Sequence, residues 1–130
     1  MLIDTHILVW ILESKLAKLG TLARDNINNQ PIVVSVATLI EIAVKKRKGK
    51  LDAPDTLTIL ANLASNNIEV LDIQPGHVIN LPSLETIKHA DPFDLLLISQ
   101  SVSESLPFLT SDSKILGAYI PNLRLIDGRR

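Results

Sequence analysis

Residues 89–98 have the sequence HADPFDLLLI and predict the start of a helix. Asp91 has the short acceptor side chain that suits an N-cap, and Pro92 suits the first helical position because its missing N–H would be unpaired there. Asp94 then falls at the third helical position, where an apolar run begins. Capping worth about 1 kcal/mol explains Asp91 without any chemistry. It explains Asp94 less well, because aspartate is a mediocre helix former.

The composition bounds the class of protein. The chain has 130 residues, of which 46% are hydrophobic and 21% charged, and its net charge is -1. This length and apolar content predict a single folded domain over residues 1–130 rather than a disordered chain. The near-neutral charge excludes a polybasic nucleic-acid tail, and 3% aromatic residues are too few for a base-stacking platform. A nucleic-acid partner would therefore be held by local charge or by bound metal.

The cellular setting can also be inferred from the sequence. Cysteine is absent, which excludes disulfides, thiolate nucleophiles and Cys-ligated zinc. The N-terminal residues have no basic region of the kind that opens a signal peptide, and no apolar run approaches the roughly 18 residues of a membrane span. We therefore expect a soluble protein of the cytoplasm.

Short apolar strands alternate along the chain with amphipathic helices. The predicted strands cover residues 2–3, 32–34, 68–73, 108–109 and 122–126, with the third and the last toward sheet edges. The predicted helices cover residues 7–12, 14–29, 55–67, 77–81 and 91–106, and a further helix runs from Ser35 or Thr38 to Lys48, with Gly49 after its end. The last four residues are predicted to fray. This alternation indicates an α/β fold whose parallel sheet is covered by helices on both faces.

Four acids occupy positions where such a sheet gathers ligands. Asp4 and Asp112 come just after predicted strands, while Glu41 and Asp94 lie in the early turns of helices. Four carboxylates in one cleft repel one another unless a cation is present. Oxygen ligands without a His or Cys pattern favour Mg²⁺ or Mn²⁺. Such ions activate water and stabilise a leaving oxygen, so the pattern points to metal-assisted phosphodiester hydrolysis.

Several of these residues also have a structural interpretation. Asp4 could cap the helix that follows it, and Glu41 could be a surface acid paired with Lys45 four residues later. His6 has no second His or Cys at ligand spacing, so a solvated turn histidine is the simpler interpretation. Trp10 is most simply a core residue or part of a partner face.

The chain resembles the PIN-domain family, and within it the VapC-type toxins of bacterial toxin–antitoxin pairs. The matching segments are residues 2–6, 35–45, 89–94 and 109–112, which occur in the family's order over nearly the whole length. The resemblance implies a three-layer α/β/α sandwich with a short central parallel sheet. It also implies Mg²⁺- or Mn²⁺-dependent endoribonuclease activity that leaves a 5′-phosphate and a 3′-hydroxyl.

The resemblance implies that the acidic site carries over onto Asp4, Glu41, Asp94 and Asp112. Asp4, Asp94 and Asp112 are then expected to grip metal directly or through water. Glu41 either completes the metal shell or positions the attacking water, and both roles stay open. The supporting positions, which in the family often orient the acids or bind water and phosphate, are Thr5, Thr110 and Ser111. Asp91 matches a frequent acidic neighbour.

One position departs from the family pattern. The family often places an arginine after the acid that matches Asp94, and here that position is Leu95. The missing cation could weaken the binding of RNA phosphates. Basic residues instead cluster at the end of one helix, as Lys45, Lys46, Arg47, Lys48 and Lys50. A solvated helix end and RNA contact, by Lys45, Lys46 and Arg47, both remain open.

Other functions and partners follow from the same features. A PIN-like binding module without catalysis is one alternative, favoured by Leu95. A phosphoacceptor domain of the response-regulator type is another, although Asp4 lacks the second adjacent acid that such domains usually carry. A toxin would have a VapB-like antitoxin, which would cover the cleft with an apolar helix and direct a basic side chain at the acids. Dimerisation is common in the family and is expected here.

Overall fold

Five short parallel strands form the centre of the computed structural model, which describes residues 1–81 and 91–130. The strands are β1 (Leu2–Ile3), β2 (Val33–Ser35), β3 (Glu69–Leu71), β4 (Phe108–Thr110) and β5 (Leu125–Asp127), in the order β3-β2-β1-β4-β5. All pairings are parallel, with β3 and β5 at the edges, as predicted. His89 and Ala90, from the segment that predicted a helix start, lie outside the described residues.

Seven α-helices accompany these strands in the described ranges. They are α1 (Thr5–Leu12), α2 (Thr21–Asn29), α3 (Val36–Arg47), α4 (Thr56–Ser65), α5 (Pro75–Ile79), α6 (Pro92–Ser103) and α7 (Ser113–Leu116). No helix in these ranges is long and apolar enough to cross a lipid bilayer. The order of strands and helices gives the predicted α/β class.

The strands alternate their side chains between two cores, which makes the fold a three-layer sandwich. Ile3 of β1 and Leu109 of β4 join the core packed by α1, α2 and α4. Leu2 and Phe108, their neighbours along the same strands, join the other core together with Ile98 of α6 and with α7. Successive side chains of a strand point to opposite faces. Helices therefore cover both faces of the sheet, as the sequence predicted.

The caps of α3 and α6 agree with the sequence. Ser35, not Thr38, caps α3, because its Oγ accepts the Ala37 N–H at 3.0 Å. Gly49 follows the end of α3 with a φ of 69°, a left-handed conformation that favours glycine. The Asp91 carboxylate caps α6 by accepting the Asp94 N–H at 2.8 Å. The two N-caps, Ser35 and Asp91, fix the starts of the helices that carry the candidate acids Glu41 and Asp94.

Two predictions in the first and last quarters of the chain were wrong for a shared reason. Residues 14–29 do not form one helix, since a 3₁₀ turn at Leu16–Lys18 is separated from α2 by Leu19 and Gly20. Residues 127–130 do not fray. The Gly128 carbonyl accepts the Gly20 N–H at 3.0 Å, and the Arg130 carbonyl accepts the Leu22 N–H at 2.8 Å. The C-terminal residues thus satisfy the backbone at the start of α2 and interrupt the helix there.

We expect Gly20→Ala to destabilise the protein. A Cβ at this position would lie 2.0 Å from the carbonyl carbon of Arg130, so the terminal segment would have to move. Overpacking of this kind costs about 1–3 kcal/mol. Urea denaturation measures the change, with Gly76→Ala as the matched control because a Cβ there meets nothing within 4 Å. Equal losses of unfolding free energy in both variants would contradict the assigned packing.

The strand order places a switch point between β1 and β4. The chain runs outward from β1 through β2 to β3, and it then returns to the other side of β1 as β4 and β5. Ligands of open parallel sheets bind in the crevice at the carboxyl ends of the strands at such a point. The order also differs from the 2-1-3-4-5 order of response-regulator-type domains. The phosphoacceptor alternative therefore loses its structural basis.

Candidate active site

Asp4 leaves β1 at the switch point and is buried at 4% relative exposure. Its backbone N–H donates to the Leu109 carbonyl of β4 at 3.1 Å. Its carboxylate accepts the Ile7 N–H at 2.9 Å, which makes Asp4 the N-cap of α1, and it also accepts the Thr110 hydroxyl. The N-cap interpretation is therefore correct, and the helix begins two residues earlier than predicted. Asp4 thus caps α1 and also lies at the switch point of the sheet.

Glu41 is buried, at 4% relative exposure, on the inner side of α3. One carboxylate oxygen accepts the Thr5 hydroxyl at 2.7 Å, and the other contacts the Lys45 ammonium at 2.6 Å. Thr38 Oγ1 lies 3.3 Å from Thr5 Oγ1 and extends this chain of polar groups. The predicted pair with Lys45 exists, but Glu41 is not a surface acid.

Asp112 and Ser111 follow β4 on the far side of the switch point. Asp112 donates its N–H to Thr110 Oγ1 at 3.0 Å and caps α7 by accepting the Lys114 N–H at 2.9 Å. The buried Ser111 hydroxyl has no hydrogen-bond partner among the described residues. Gly128 packs against it, since an added Cβ would lie 2.3 Å from Ser111 Oγ. Thr110 thus ties Asp4 and Asp112 to the same strand end.

One cavity of about 460 Å³ brings together the four acids that the sequence singled out. Asp4, Glu41, Asp94 and Asp112 all line it, and so do Thr5, Asp91 and Ser111. Thr110 is fully buried behind the cavity and reaches it through Asp4. Of the predicted RNA-contacting residues, Lys45 lines the cavity, whereas Lys46 donates to the Ala53 carbonyl at 2.6 Å.

The charge of Asp94 is poorly compensated. No hydrogen bond reaches its carboxylate from the part of the chain that the structure describes. Burial is the largest cause that raises the pKa of Asp94, from 3.8 to about 7, followed by repulsion from four acids, Asp91, Glu41, Asp4 and Asp112. Burial also raises the pKa of Asp4, against the opposing hydrogen bonds from Thr110 and the Ile7 N–H. Among the described residues, the site therefore holds carboxylates whose negative charge is only partly compensated.

The donor chemistry of this cavity fits a divalent cation. Carboxylate and hydroxyl oxygens line it, and the chain has no cysteine, a set that suits Mg²⁺ or Mn²⁺. Within residues 1–81 and 91–130, no three acidic or histidine side chains are already gathered as a ligand cluster. A bound ion would draw the carboxylates together and relieve the repulsion that raises the pKa of Asp94.

A sequence model of the PIN domain family matches residues 1–119. The chain belongs to the PIN domain family. PIN domains are generally nucleases that depend on a divalent metal. The resemblance noted from the sequence segments is thereby confirmed.

Among the solved structures similar to this PIN domain are toxin–antitoxin complexes. VapBC2 from Rickettsia felis, bound to a promoter DNA fragment, matches with a TM-score of 0.70 and 20% identity, over 97% of this chain and 96% of that chain. DNA-bound VapBC from Salmonella typhimurium gives a TM-score of 0.66 at 20% identity over 97% and 96%. VapBC-1 from nontypeable Haemophilus influenzae gives 0.66 at 16% identity over 99% and 98%. A search of curated protein sequences finds no relative. At these identities the likeness establishes the PIN fold.

The PIN-domain cavity also contains side chains that sequence reasoning did not place there. Trp10 and His6 lie on its rim with their rings 6.4 Å apart, and the exposed Lys114 lines it as well. Trp10 also packs partly against the core, so its predicted core role is incomplete. Thr38 shares a helix face with Glu41 three residues later, a spacing that could have revealed it. Lys114 carries no comparable signal, because its place depends on the turn after β4.

Leu95 stands where the family often has an arginine, and its side chain contributes to the core. Leu95 is half-buried and packs against the core around α6. Among the described residues, Lys45 of α3 and Lys114 of α7 are the lysines that line the cavity. Lys45 is already paired with Glu41, whereas Lys114 forms no ion pair within the described residues.

We expect Thr110→Val to impair this site in the PIN domain. Valine keeps the shape but removes the donor to Asp4 and the acceptor for the Asp112 N–H. Loss of such a positioning group costs about 10–100-fold in metal affinity or activity, and the unsatisfied buried groups cost about 1–3 kcal/mol of stability.

Calorimetric titration with Mn²⁺ and urea denaturation measure the two effects of Thr110→Val. Thr110→Ser keeps the hydroxyl and is expected to retain the Mn²⁺ affinity of the wild type. If the valine variant bound Mn²⁺ as well as the wild type, the positioning role of Thr110 would be wrong.

Proposed function

We propose that residues 1–130 form a single PIN domain that hydrolyses RNA phosphodiester bonds with Mg²⁺ or Mn²⁺ and acts as the toxin of a toxin–antitoxin pair. The supporting observation is the cavity at the β1–β4 switch point, where the Asp94 carboxylate lies among four other acids and receives no hydrogen bond from the described residues. Such a site is electrostatically incomplete until a cation binds.

Asp4, Asp94 and Asp112 are the residues that would hold the ion. When bound, a divalent ion lowers the pKa of a water molecule and stabilises charge on the leaving oxygen. Thr110 would support these ligands, because its hydroxyl donates to the Asp4 carboxylate and accepts the Asp112 backbone N–H. The Asp4 carboxylate is also fixed from the other side by the Ile7 N–H.

Glu41 either completes the shell of the ion or positions the attacking water. Both of its carboxylate oxygens already accept hydrogen bonds, one from Thr5 and one from Lys45. A carboxylate held in this way can still accept a proton from an attacking water through its remaining lone pairs. Lys114 is an exposed cation at the same cavity and would contact a phosphate of the RNA.

The toxin assignment rests on the fold of the similar VapBC complexes. In this chain, a cleft of about 410 Å³ lies between α1, α2 and α4, and the aliphatic Ile11, Leu12 and Ile27 line it together with the polar Gln30, Asn62, Asn66 and Asn67. It offers the aliphatic surface that a VapB-like antitoxin helix would cover. A small reading frame for a DNA-binding protein next to the gene would support this partner. Homodimerisation is expected too, and light scattering of the purified chain tests it.

Digestion of a total tRNA and rRNA pool, with Mg²⁺ and with a chelator, tests the nuclease proposal. Wild-type protein is expected to produce new 5′-phosphate ends with Mg²⁺ only, while Asp4→Ala and Asp94→Ala produce none. Asp25→Ala, at an exposed position of α2, is the matched control and is expected to cut like the wild type. Equal cleavage by all variants, or cleavage that persists in the chelator, would remove the proposal.

A PIN-fold binding module without catalysis is the alternative that two observations favour. Leu95 replaces a usual arginine, and no ready-made ligand cluster exists within the described residues. The same digestion separates the two functions. Wild-type protein that binds Mn²⁺ and RNA but yields no new ends over long incubation would establish the binding module.

A further inference from the structure

A smaller cavity of about 200 Å³ opens beside the acids, between the end of α3 and the start of α6. Glu41, Lys45 and Asp91 line both this cavity and the acidic one, so the two adjoin. The residues that line only the smaller cavity are Val44, Lys48, Lys50, Pro92 and Phe93. We call these five residues the basic–aromatic cleft. Its size is below the range of drug-sized sites and suits a single base or nucleoside.

Phe93 has no evident structural role outside this cleft. The chain has four aromatic residues of the Phe, Tyr and Trp types. Phe108 is fully buried in the core. Phe93 is half-buried and belongs to neither of the two core clusters seen in the described residues. Its ring therefore lines an open cleft one residue before Asp94.

The backbone turn after α3 brings two lysines to the edge of the cleft. Gly49 adopts a φ of 69°, and the Lys50 N–H donates to the Lys45 carbonyl at 2.9 Å. This turn lets Lys48 and Lys50 line the same cavity. Neither has an ion pair or a side-chain hydrogen bond within residues 1–81 and 91–130. Their neighbours Lys46 and Arg47 do not line it, and Lys46 is occupied by the Ala53 carbonyl.

We propose that the basic–aromatic cleft binds one unpaired nucleotide of the RNA next to the phosphodiester at the acids. Its base lies against the Phe93 ring, and the adjoining phosphates contact Lys48 and Lys50. This inference rests on the proposed nuclease function and names the form of its substrate, a single-stranded segment. It also replaces Lys46 and Arg47 with Lys48 and Lys50 as the RNA-contacting residues.

Two physical arguments favour RNA over an acidic protein segment as the occupant. The cleft adjoins the acidic cavity, and a phosphodiester chain whose scissile group lies at the acids must pass over the adjoining surface. An aromatic ring beside lysines suits both parts of a nucleotide, because the base stacks on the ring and the phosphate attracts the ammonium groups. A base can stack on Phe93 only if it is unpaired, so the substrate is single-stranded at this position.

Fluorescence anisotropy with a 5′-fluorescein-labelled hexauridylate tests the cleft. All proteins carry Asp94→Asn and are measured with Mg²⁺, so that the RNA is bound without being cut. Lys48→Gln/Lys50→Gln is compared with Lys46→Gln/Arg47→Gln, which removes the same charge from the same helix end. The first pair is expected to weaken binding about tenfold more than the second and to lower the slope of log K against log salt by about 0.7 per lost phosphate contact.

The proposed stacking of a base on Phe93 is tested by combining substitutions of Phe93 with the removal of single bases from the RNA. Phe93→Leu is expected to weaken binding about tenfold, while Phe93→Tyr keeps a ring and retains the affinity. Oligonucleotides with one abasic position are then titrated against both backgrounds. Loss of one particular base should weaken binding to the phenylalanine protein and leave binding to the leucine variant unchanged. Thermal melting of every variant establishes that it is folded.

The outcomes separate the cleft from the nuclease function. Two results would overturn the cleft as an RNA site: equal loss of affinity in the two double variants, or no abasic position whose effect depends on Phe93. An acidic protein segment would then become the candidate occupant of the cleft. Cleavage of the RNA pool by the wild-type protein is scored independently. If the wild type cleaves RNA but the cleft variants bind it normally, the nuclease proposal stands and the cleft proposal fails. If Phe93 is coupled to one base but no RNA is cleaved, the cleft proposal stands and the nuclease proposal fails.

Discussion

Asp94→Asn is expected to abolish RNA cleavage and, in the absence of metal, to make the protein more stable at pH 8. The loss of activity should exceed about a hundredfold, because the variant removes a carboxylate that would hold the metal. The gain in stability has a separate cause. Burial and four neighbouring acids raise the pKa of Asp94 to about 7 in the folded protein, so ionisation of this carboxylate opposes folding.

The sign of the pH dependence follows from this raised pKa. Below the unfolded value of 3.8, Asp94 is neutral in both states and costs nothing. As the pH rises toward 7, the unfolded chain loses the proton first and the folded state loses stability relative to it. Solvent around the half-buried carboxylate reduces the full penalty to about 1–2 kcal/mol.

Urea denaturation in a chelator at pH 5 and pH 8 measures this effect. The advantage of Asp94→Asn over the wild type should be larger at pH 8 than at pH 5, and saturating Mn²⁺ should remove it by stabilising the wild type. Asp25→Asn is the matched control and should show no pH-dependent difference. An asparagine variant that is less stable than the wild type at pH 8 would contradict the electrostatic account of the cavity.

Asp4→Asn is expected to lose cleavage by more than about a hundredfold while keeping α1 capped. The asparagine side-chain oxygen can still accept the Ile7 N–H, as the aspartate does. Asp4→Ala loses the cap as well and should cost about 1 kcal/mol more in stability. The asparagine variant therefore separates the structural role of Asp4 from its role at the site.

Asp55→Asn supplies the matched control for this prediction. Asp55 caps α4 by accepting the Thr58 N–H at 2.8 Å, in the same way that Asp4 caps α1, but it is exposed and outside the cavity. The Asp55→Asn protein should cut RNA like the wild type in the pool digestion. Wild-type cleavage by Asp4→Asn would show that Asp4 is an N-cap only.

The sequence predicted those features that depend on local signals. The start of α6 at Pro92 follows from the capping chemistry of Asp91, and the sheet follows from the alternation of short apolar runs with helices. Asp4 and Asp112 could be placed together because both follow strands whose carboxyl ends share one edge of a parallel sheet.

Features that depend on distant contacts could not be predicted. The helix predicted over residues 14–29 is interrupted at Gly20 by contacts with residues 128–130, which lie at the other end of the chain. The two interpretations of Glu41 could not be decided, since the pair with Lys45 is local while the burial depends on Thr5 in another helix. The cleft at Phe93 arises where the turn after α3 meets the start of α6, and no spacing in the sequence indicates that approach.

Calorimetric titration of the metal-free protein with Mn²⁺ at pH 8 tests most directly whether Asp4 and Asp94 belong to one metal site. We predict saturable binding to the wild type and to Asp55→Asn with equal affinity, and at least about tenfold weaker binding to Asp4→Asn and Asp94→Asn. No binding to the wild type, or the same affinity in all four proteins, would contradict the account.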